Sequence, residues 1–441
     1  MKEQNRKILI IVYYWPPSGG SGVQRWMYFA RYLSDLGYTP VILTVSPEKA
    51  SYKDWDQSNC DMVKGIETHT TNTFELIKLY SLFTSGSTTK GIPQGHVGAK
   101  KHGSFGKISS FIRGNLFIPD ARIGWKFYAT KKAKEIIRKE NIKLILTSGP
   151  PHSTHLIGNA LKKKTGINWI ADFRDPWTEI YYNLELPRLN WAKKLDAKLE
   201  KQVLENADMV LTIGPSLLNL LSAKVPGQKD KFHYILNGYD DEAMRQISFE
   251  PDELFKITFI GQFALAQPHE AMIEALGWFF EKHQSEAHKF RICLAGTMDE
   301  LIVSKFQKFP GIRVDYMGRI PHLDALQLMK NSQLLLNSLA EVESSKILIS
   351  GKLMEYISTG NPILCIGDPE GDAAALLHPL DNSKMCTKDD VEGILEFTSL
   401  VYDRWKSGKP LIQGNKDYMR YSRYETARQL AGLINNNFSH V

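Results

Sequence analysis

The stretch Ser344-Ser345-Lys346-Ile347-Leu348-Ile349-Ser350-Gly351-Lys352-Leu353-Met354-Glu355-Tyr356-Ile357-Ser358-Thr359-Gly360-Asn361-Pro362 decides how this 441-residue chain is read. Ser350 and Gly351 open a helix, Gly360 closes it, and Pro362 starts an apolar run to Ile366 that reads as a strand. Lys352 and Glu355 lie one turn apart on that helix. A helix N-terminus offers unpaired N–H groups and a positive dipole end, so a lysine in its first turn suits a diphosphate. A carboxylate on the next turn supplies the acceptor pairs that a ribose diol needs. A surface Lys–Glu pair has the same spacing and contributes only about 0.2–0.5 kcal/mol.

Working outward, short β-branched runs alternate with longer amphipathic ones. Before residue 240, strands read at Lys7–Trp15, Pro40–Val45, Lys143–Thr147, Trp169–Phe173, Met209–Ile213 and Phe232–Leu236. Helical patterns lie at Val23–Leu36, Gly124–Glu140, Ser153–Lys164 and Asn190–Glu205. The grammar then restarts, with strands at Lys256–Ile260, Arg291–Ala295, Arg313–Met317, Leu334–Asn337 and Pro362–Ile366. Its helices read at His269–Lys282, Asp299–Phe309, Leu323–Lys330, Gly351–Ser358 and Asp389–Lys406. Two complete α/β units, joined near Asp240–Glu253, are more economical than one giant sheet.

Residues 84–115 break the pattern. A Gly-, Ser-, Thr-, Lys- and His-rich stretch precedes the mixed apolar and basic residues Phe105, Lys107, Ile108, Phe111, Ile112 and Arg113, with Leu116 and Phe117 following. The reading is a loop and an amphipathic segment, either a plain surface excursion or a lip facing a membrane or an acceptor.

The bulk numbers exclude several classes. With 43% hydrophobic and 23% charged residues the composition is that of a folded protein. Cys60, Cys293, Cys365 and Cys386 have no metal-ligand or redox spacing, so they read as reduced thiols. The run Ile8–Trp15 is short and ends in Pro16-Pro17 without a cleavage site, which favours a buried strand over a signal peptide. No stretch reaches about 18 apolar residues, so no transmembrane helix is expected. The formal charge of +7 is uneven: 34 Lys and Arg stand against 21 Asp and Glu up to residue 240, and 21 against 27 beyond it. Glu and Asp are interleaved among the lysines of 131–143 and 193–201. Those helices therefore read as solvated faces with some pull toward anionic lipid, and nucleic-acid binding is not expected.

Three further motifs lie at strand ends, the edge where open α/β sheets bind ligands. In Trp15-Pro-Pro-Ser-Gly-Gly-Ser-Gly-Val-Gln-Arg25, Gly19, Gly20 and Gly22 allow close backbone approach just before a helix, which outlines an anion site or a plain tight turn. Thr147-Ser-Gly-Pro-Pro-His152-Ser-Thr-His155 brings two imidazoles that can serve as base, acid or hydrogen-bond donor. In Ala171-Asp172-Phe173-Arg174-Asp175-Pro176-Trp177, alternating charges predict an ion-pair network, either a structural cross-link or a substrate contact.

Taken together, the Gly-rich loop, Asn237-Gly-Tyr-Asp240, Phe259-Ile-Gly-Gln262 and Gly351–Gly360 resemble the retaining glycosyltransferase family 4. The Ser-Gly-Pro-Pro-His and Asp-Phe-Arg-Asp-Pro-Trp segments resemble those of bacterial surface-polysaccharide members. The resemblance implies the GT-B fold, two facing Rossmann-like domains with a deep cleft. Residues 1–240 would form the acceptor side, 241–414 would bind the nucleotide sugar, and 415–441 would pack back on the first domain. It implies a donor site that takes in Gly19, Gly20, Gly261, Gln262, Gly351, Leu353 and Glu355, with Glu355 on the ribose. Lys352, Lys346 and Arg319 are the candidates for charge compensation on the phosphates where the family's usual cations are missing. Catalytic roles fall to His152, His155 and Asp175, and acceptor-side roles to Arg25 and Arg174. It implies transfer of a sugar from a UDP- or GDP-sugar, with retention, to a glycan or lipid-linked acceptor in cell-surface polysaccharide synthesis. No cofactor and no essential metal ion are expected. The expected location is cytoplasmic, peripheral at the inner face of the membrane.

Two departures from the family pattern stand out. The first glutamate of its paired motif would fall at Ile347, with Glu343 nearby. The usual arginine and lysine after the first strand of the second domain are replaced by Gln262 and Ala266-Gln-Pro-His269. A GT-B sugar-nucleotide epimerase and an inactive glycan-binding scaffold are the alternatives.

Overall fold

The computed structural model describes residues 6–52, 54–75, 104–184, 186–250, 252–409 and 416–438. The chain divides into two compact units, Met1–Leu236 with Thr426–Val441, and Asn237–Glu425.

The first unit is built on a parallel sheet of seven strands. They are β1 Lys7–Ile11, β2 Thr39–Val45, β3 Glu67–Thr71, β4 Leu144–Gly149, β5 Asn168–Phe173, β6 Met209–Thr212 and β7 Phe232–Tyr234, in the order β3-β2-β1-β4-β5-β6-β7. Helices cover both faces, so the central strands are apolar on both sides, and every residue of β4 is buried. The helix Arg423–Asn437 adds Ala427, Leu430, Ala431 and Ile434 to one core, and Phe438 just beyond it joins them.

The second unit repeats the plan with six parallel strands. They are β8 Phe255–Ile260, β9 Phe290–Ala295, β10 Arg313–Tyr316, β11 Leu334–Ser338, β12 Ile363–Ile366 and β13 Ser383–Cys386, in the order β10-β9-β8-β11-β12-β13. Its core is aromatic, with Phe255, Phe279, Phe290 and Tyr402 packed edge to face.

Residues 237–240 travel with the second unit rather than the first. The N–H of Tyr239 donates to the Tyr421 carbonyl, the Arg423 N–H donates to the Tyr239 carbonyl, and Arg423 pairs with Asp240 at 3.3 Å. The boundary therefore precedes the expected 240, and the return falls at 425/426 rather than 414/415. Of the excursion at 84–115, the part before residue 104 lies outside the described residues, and Ser104–Leu116 is a helix. Cys293, Cys365 and Cys386 are buried, Cys60 is half-buried, and none is in a disulfide. Among the described residues, no helix is long and apolar enough to cross a membrane.

One buried ion pair pins the first unit. The guanidinium of Arg25, on the helix Ser21–Asp35, donates to Asp172 at the end of β5 and to the Ile235 carbonyl beyond β7. Asp172 also accepts from the Trp26 indole and from the Ser148 hydroxyl, both at 2.7 Å. Removing one partner of such a pair leaves the other buried and uncompensated. Asp172→Ala should lower the unfolding free energy of the first unit by about 3–5 kcal/mol, read as a shift of its urea transition.

Candidate functional site

In each sheet the strand order reverses at one place, between β1 and β4 in the first and between β8 and β11 in the second. Helices leave such a point on opposite faces and open a crevice at the C-terminal strand ends. The motifs of interest gather at these two points, and each unit is taken by itself.

In the second unit, β8 ends at Gly261, which adopts φ +101°. Gly296, at the end of β9, lies so close that an added Cβ would sit 2.1 Å from the Gly261 carbonyl oxygen. Only glycines permit this contact of two strand ends. Over the same place sits Lys352. Its Nζ is 3.5 Å from the centroid of the Phe259 ring, which stacks on Phe263. This Nζ is buried and has no hydrogen-bond partner. Burial pulls its pKa from 10.5 down to about 7. Asn337, on the neighbouring β11, is wholly buried; its amide donates to Cys365 Sγ and its Oδ1 has no partner. The helix Gly351–Thr359 starts beside open space, since nothing lies within 4 Å of a Cβ added at Gly351. The crevice thus holds an unpaired cation and a helix N-terminus, a pairing that suits a dianionic ligand.

One turn further on, Glu355 accepts a 2.9 Å hydrogen bond from Nε2 of His322. That bond raises the His322 pKa above its ordinary 6.5. His322 starts its own helix, His322–Lys330, and sequence reasoning missed it. The only signal was its place after Pro321, at a helix start, and that says nothing of its partner.

Other expected donor residues are placed differently. The Leu353 side chain is fully buried and belongs to the core, so only its backbone is available. Lys346 pairs with exposed Glu370 at the surface. Gln262 is exposed, and Arg319 is exposed with its Nε on Thr297 Oγ1 at 3.2 Å. Ile347 is buried and Glu343 is exposed.

In the first unit, the helix Ser153–Thr165 follows β4 and carries His155, while His152 precedes it. The His155 ring stacks on Phe173 at 4.3 Å, and His152 stacks on Trp177 at 5.0 Å. His155 Nδ1 shares a hydrogen bond with the Thr147 hydroxyl, which also accepts from the Trp169 indole. Gly149 makes room for both rings, for an added Cβ would meet His155 Nε2 at 2.7 Å and His152 Nδ1 at 3.0 Å. Burial drives the His155 pKa down to about 3 and holds that of His152 well below its ordinary value. Burial thus favours the neutral form of both rings, in which each can exchange hydrogen bonds with a sugar hydroxyl.

Arg174 donates to the Gly22, Gly149 and Pro150 carbonyls and ties the two loops of this crevice together. Asp175 is half-buried, and burial raises its pKa. Arg25 is a correction: 5% exposed and paired with Asp172, it is a structural cross-link rather than an acceptor contact. The Gly19–Gly20 loop, read as an anion site or a plain tight turn, is flanked by two aspartates. Asp56 Cβ lies 3.2 Å and Asp54 Cβ 3.4 Å from an added Gly19 Cβ, and Asp54 Oδ2 is 3.6 Å from one at Gly20. Among the described residues one group has metal-ligand spacing, Glu67, His69 and Glu140. It lies at the opposite, N-terminal edge of the sheet, where Lys7 already pairs with Glu140.

With this geometry in view, comparison with known proteins finds a likeness in one segment. Residues 101–243 match Glycosyltransferase Family 4. No protein of curated function matches the chain in sequence. Solved structures match it over nearly its whole length. The crystal structure of Anabaena Alr3699/HepE in complex with UDP-glucose is 11% identical, covering 98% of this chain and 99% of that one, with a TM-score of 0.60. The lipopolysaccharide outer core galactosyltransferase WaaB is 12% identical, covering 99% and 100%, with a TM-score of 0.57. A putative UDP-N-acetylglucosamine 2-epimerase from Listeria monocytogenes is 11% identical, covering 99% and 97%, with a TM-score of 0.56. At these identities the likeness is one of fold, and the fold is GT-B.

The Glu355–His322 pair is checked by titration. Its contribution is fully present below pH 6.5 and is lost as pH rises through the higher folded pKa of His322. NMR of the His322 ring should show a midpoint above 6.5, and Glu355→Gln should bring the midpoint down.

Proposed function

We propose that the chain is a retaining glycosyltransferase that moves a hexose from a nucleoside-diphosphate sugar to a glycan or lipid-linked acceptor. Its place would be cell-surface polysaccharide synthesis in the cytoplasm, peripheral to the inner face of the membrane. The observation that carries this reading is the buried, unpartnered Lys352 ammonium at the switch point of the second sheet. A group of this kind calls for an anion, and the adjoining helix starts beside open space at Gly351.

In this reading the donor diphosphate sits at Lys352, Gly351 and Gly261, and Glu355 takes the ribose diol with His322 holding its carboxylate. The bond from sugar C1 to the diphosphate oxygen breaks, and a bond from C1 to the acceptor oxygen forms on the same face. The acceptor proton passes to the leaving diphosphate oxygen, and nothing is oxidised or reduced. Charge grows on the diphosphate as it leaves, so an ammonium fixed in a low-dielectric site stabilises that state more than the ground state. Neutral His152 and His155 suit hydrogen bonding to a sugar hydroxyl. No metal ion is required, because Lys352 and the helix dipole supply the positive charge. HepE was solved with UDP-glucose, so a uridine donor is the first to test.

A second reading is a sugar-nucleotide epimerase, favoured by the likeness to the Listeria protein. Product analysis without an acceptor separates the two, because an epimerase then yields a new sugar nucleotide.

The purified protein should bind at least one of a panel of UDP-, GDP- and ADP-sugars. Lys352→Met should weaken that binding at least about tenfold, which is about 1.4 kcal/mol. Folded protein that binds no member of the panel would count decisively against the proposal.

A further inference from the structure

Three helices of the first unit frame a groove of about 860 Å³ that the site above does not use. They are Trp125–Glu140, Ser153–Thr165 and Asn190–Asn206. On the first, Phe127, Lys131, Lys134 and Arg138 recur at spacings of four, three and four and form one stripe along the groove. Lys126 joins them from the start of that helix, and Lys163 and Lys164 line the groove from the second helix.

Among the described residues none of these six cations has a carboxylate within ion-pair distance. One carboxylate, Glu135, lines the same groove and pairs with Lys132 at 3.4 Å. Lys126 is half-buried, and both its burial and the charges of Lys163 and Lys164 hold its pKa below the ordinary value. Six cations against one carboxylate around one hollow attract an anionic partner.

The rim of the groove says which kind. Phe127 is 75% exposed and Trp191 50%. Trp191, Leu195, Leu199 and Gln202 share a face of the third helix, and the last two line the groove. Lys194 and Lys198 are exposed on the same helix. Bulky apolar side chains projecting beside lysines are what an interfacial surface presents to lipid, with rings at headgroup level and ammonium groups on the phosphates. Five of the six groove cations are lysines, mobile point charges suited to a fluid array of phosphates rather than to one fixed carboxylate or phosphate.

We propose that this groove and its apolar rim seat the protein on an anionic phospholipid bilayer. The idea rests on the peripheral location proposed above, and it assigns that contact to one face of the first unit.

Vesicle co-sedimentation of the full chain tests it, using phosphatidylcholine alone and phosphatidylcholine with phosphatidylglycerol. The protein should pellet with the anionic vesicles and not the neutral ones. Lys131→Glu with Lys134→Glu and Lys163→Glu should cut binding at least about tenfold. Phe127→Ser should weaken it by a smaller factor at unchanged salt dependence. These side chains are at the surface, and an unchanged circular-dichroism spectrum and thermal transition show that the variants fold. Equal binding to both vesicle types, unchanged binding by the triple variant, or a preference for RNA over anionic vesicles would overturn the proposal. Vesicle binding is read without a sugar donor, so failure of the transferase reading leaves this outcome interpretable.

Discussion

An ammonium held inside a protein without a carboxylate is costly, and Lys352 is held in that way. Its Nζ lies over the Phe259 ring, whose face offers only partial compensation, and burial has already lowered its pKa to about 7. The surroundings are arranged to keep it there. Gly261 and Gly296 bring two strand ends into contact where no side chain fits, and the helix Gly351–Thr359 projects the lysine back across the end of β8. An arrangement that a core would relax by substitution is the kind that function retains.

The two units place different chemistry at the same topological position. At the switch point of the first sheet Arg25 is paired with Asp172, Arg174 donates to three carbonyls, and burial favours the neutral form of the two histidines. Under the proposed function this surface would take the hydroxyl acceptor. At the switch point of the second sheet a positive charge is left open. An enzyme that brings an anionic donor to a neutral hydroxyl acceptor needs one surface of each kind.

The central strands were legible because a parallel sheet covered on both faces requires continuous apolar runs, as in Leu144–Gly149 and Phe255–Ile260. Two of the four edge strands, β3 and β13, were not. Glu67-Thr-His-Thr-Thr71 and Ser383-Lys-Met-Cys386 meet the sheet on one side only and carry polar residues that hide their conformation. At the site, the helix N-terminus, Lys352 and Glu355 could be read from spacing alone. The partner of Glu355 could not, because His322 is 33 residues away and meets it only through the packing of two helices. Charge by itself misled at Arg25, since a sequence does not show which acid a base will find, here Asp172 in the core.

The most direct test of the central claim is calorimetric titration of the protein with a bound nucleotide sugar, in buffers of differing ionisation enthalpy and across the pH range around 7. Below that pH Lys352 is already charged; above it, an anion that needs the ammonium must draw a proton onto it. The account predicts proton uptake approaching one per ligand and an affinity that falls by up to about tenfold per pH unit above pH 7. Binding without proton uptake, at an affinity indifferent to pH, would contradict it.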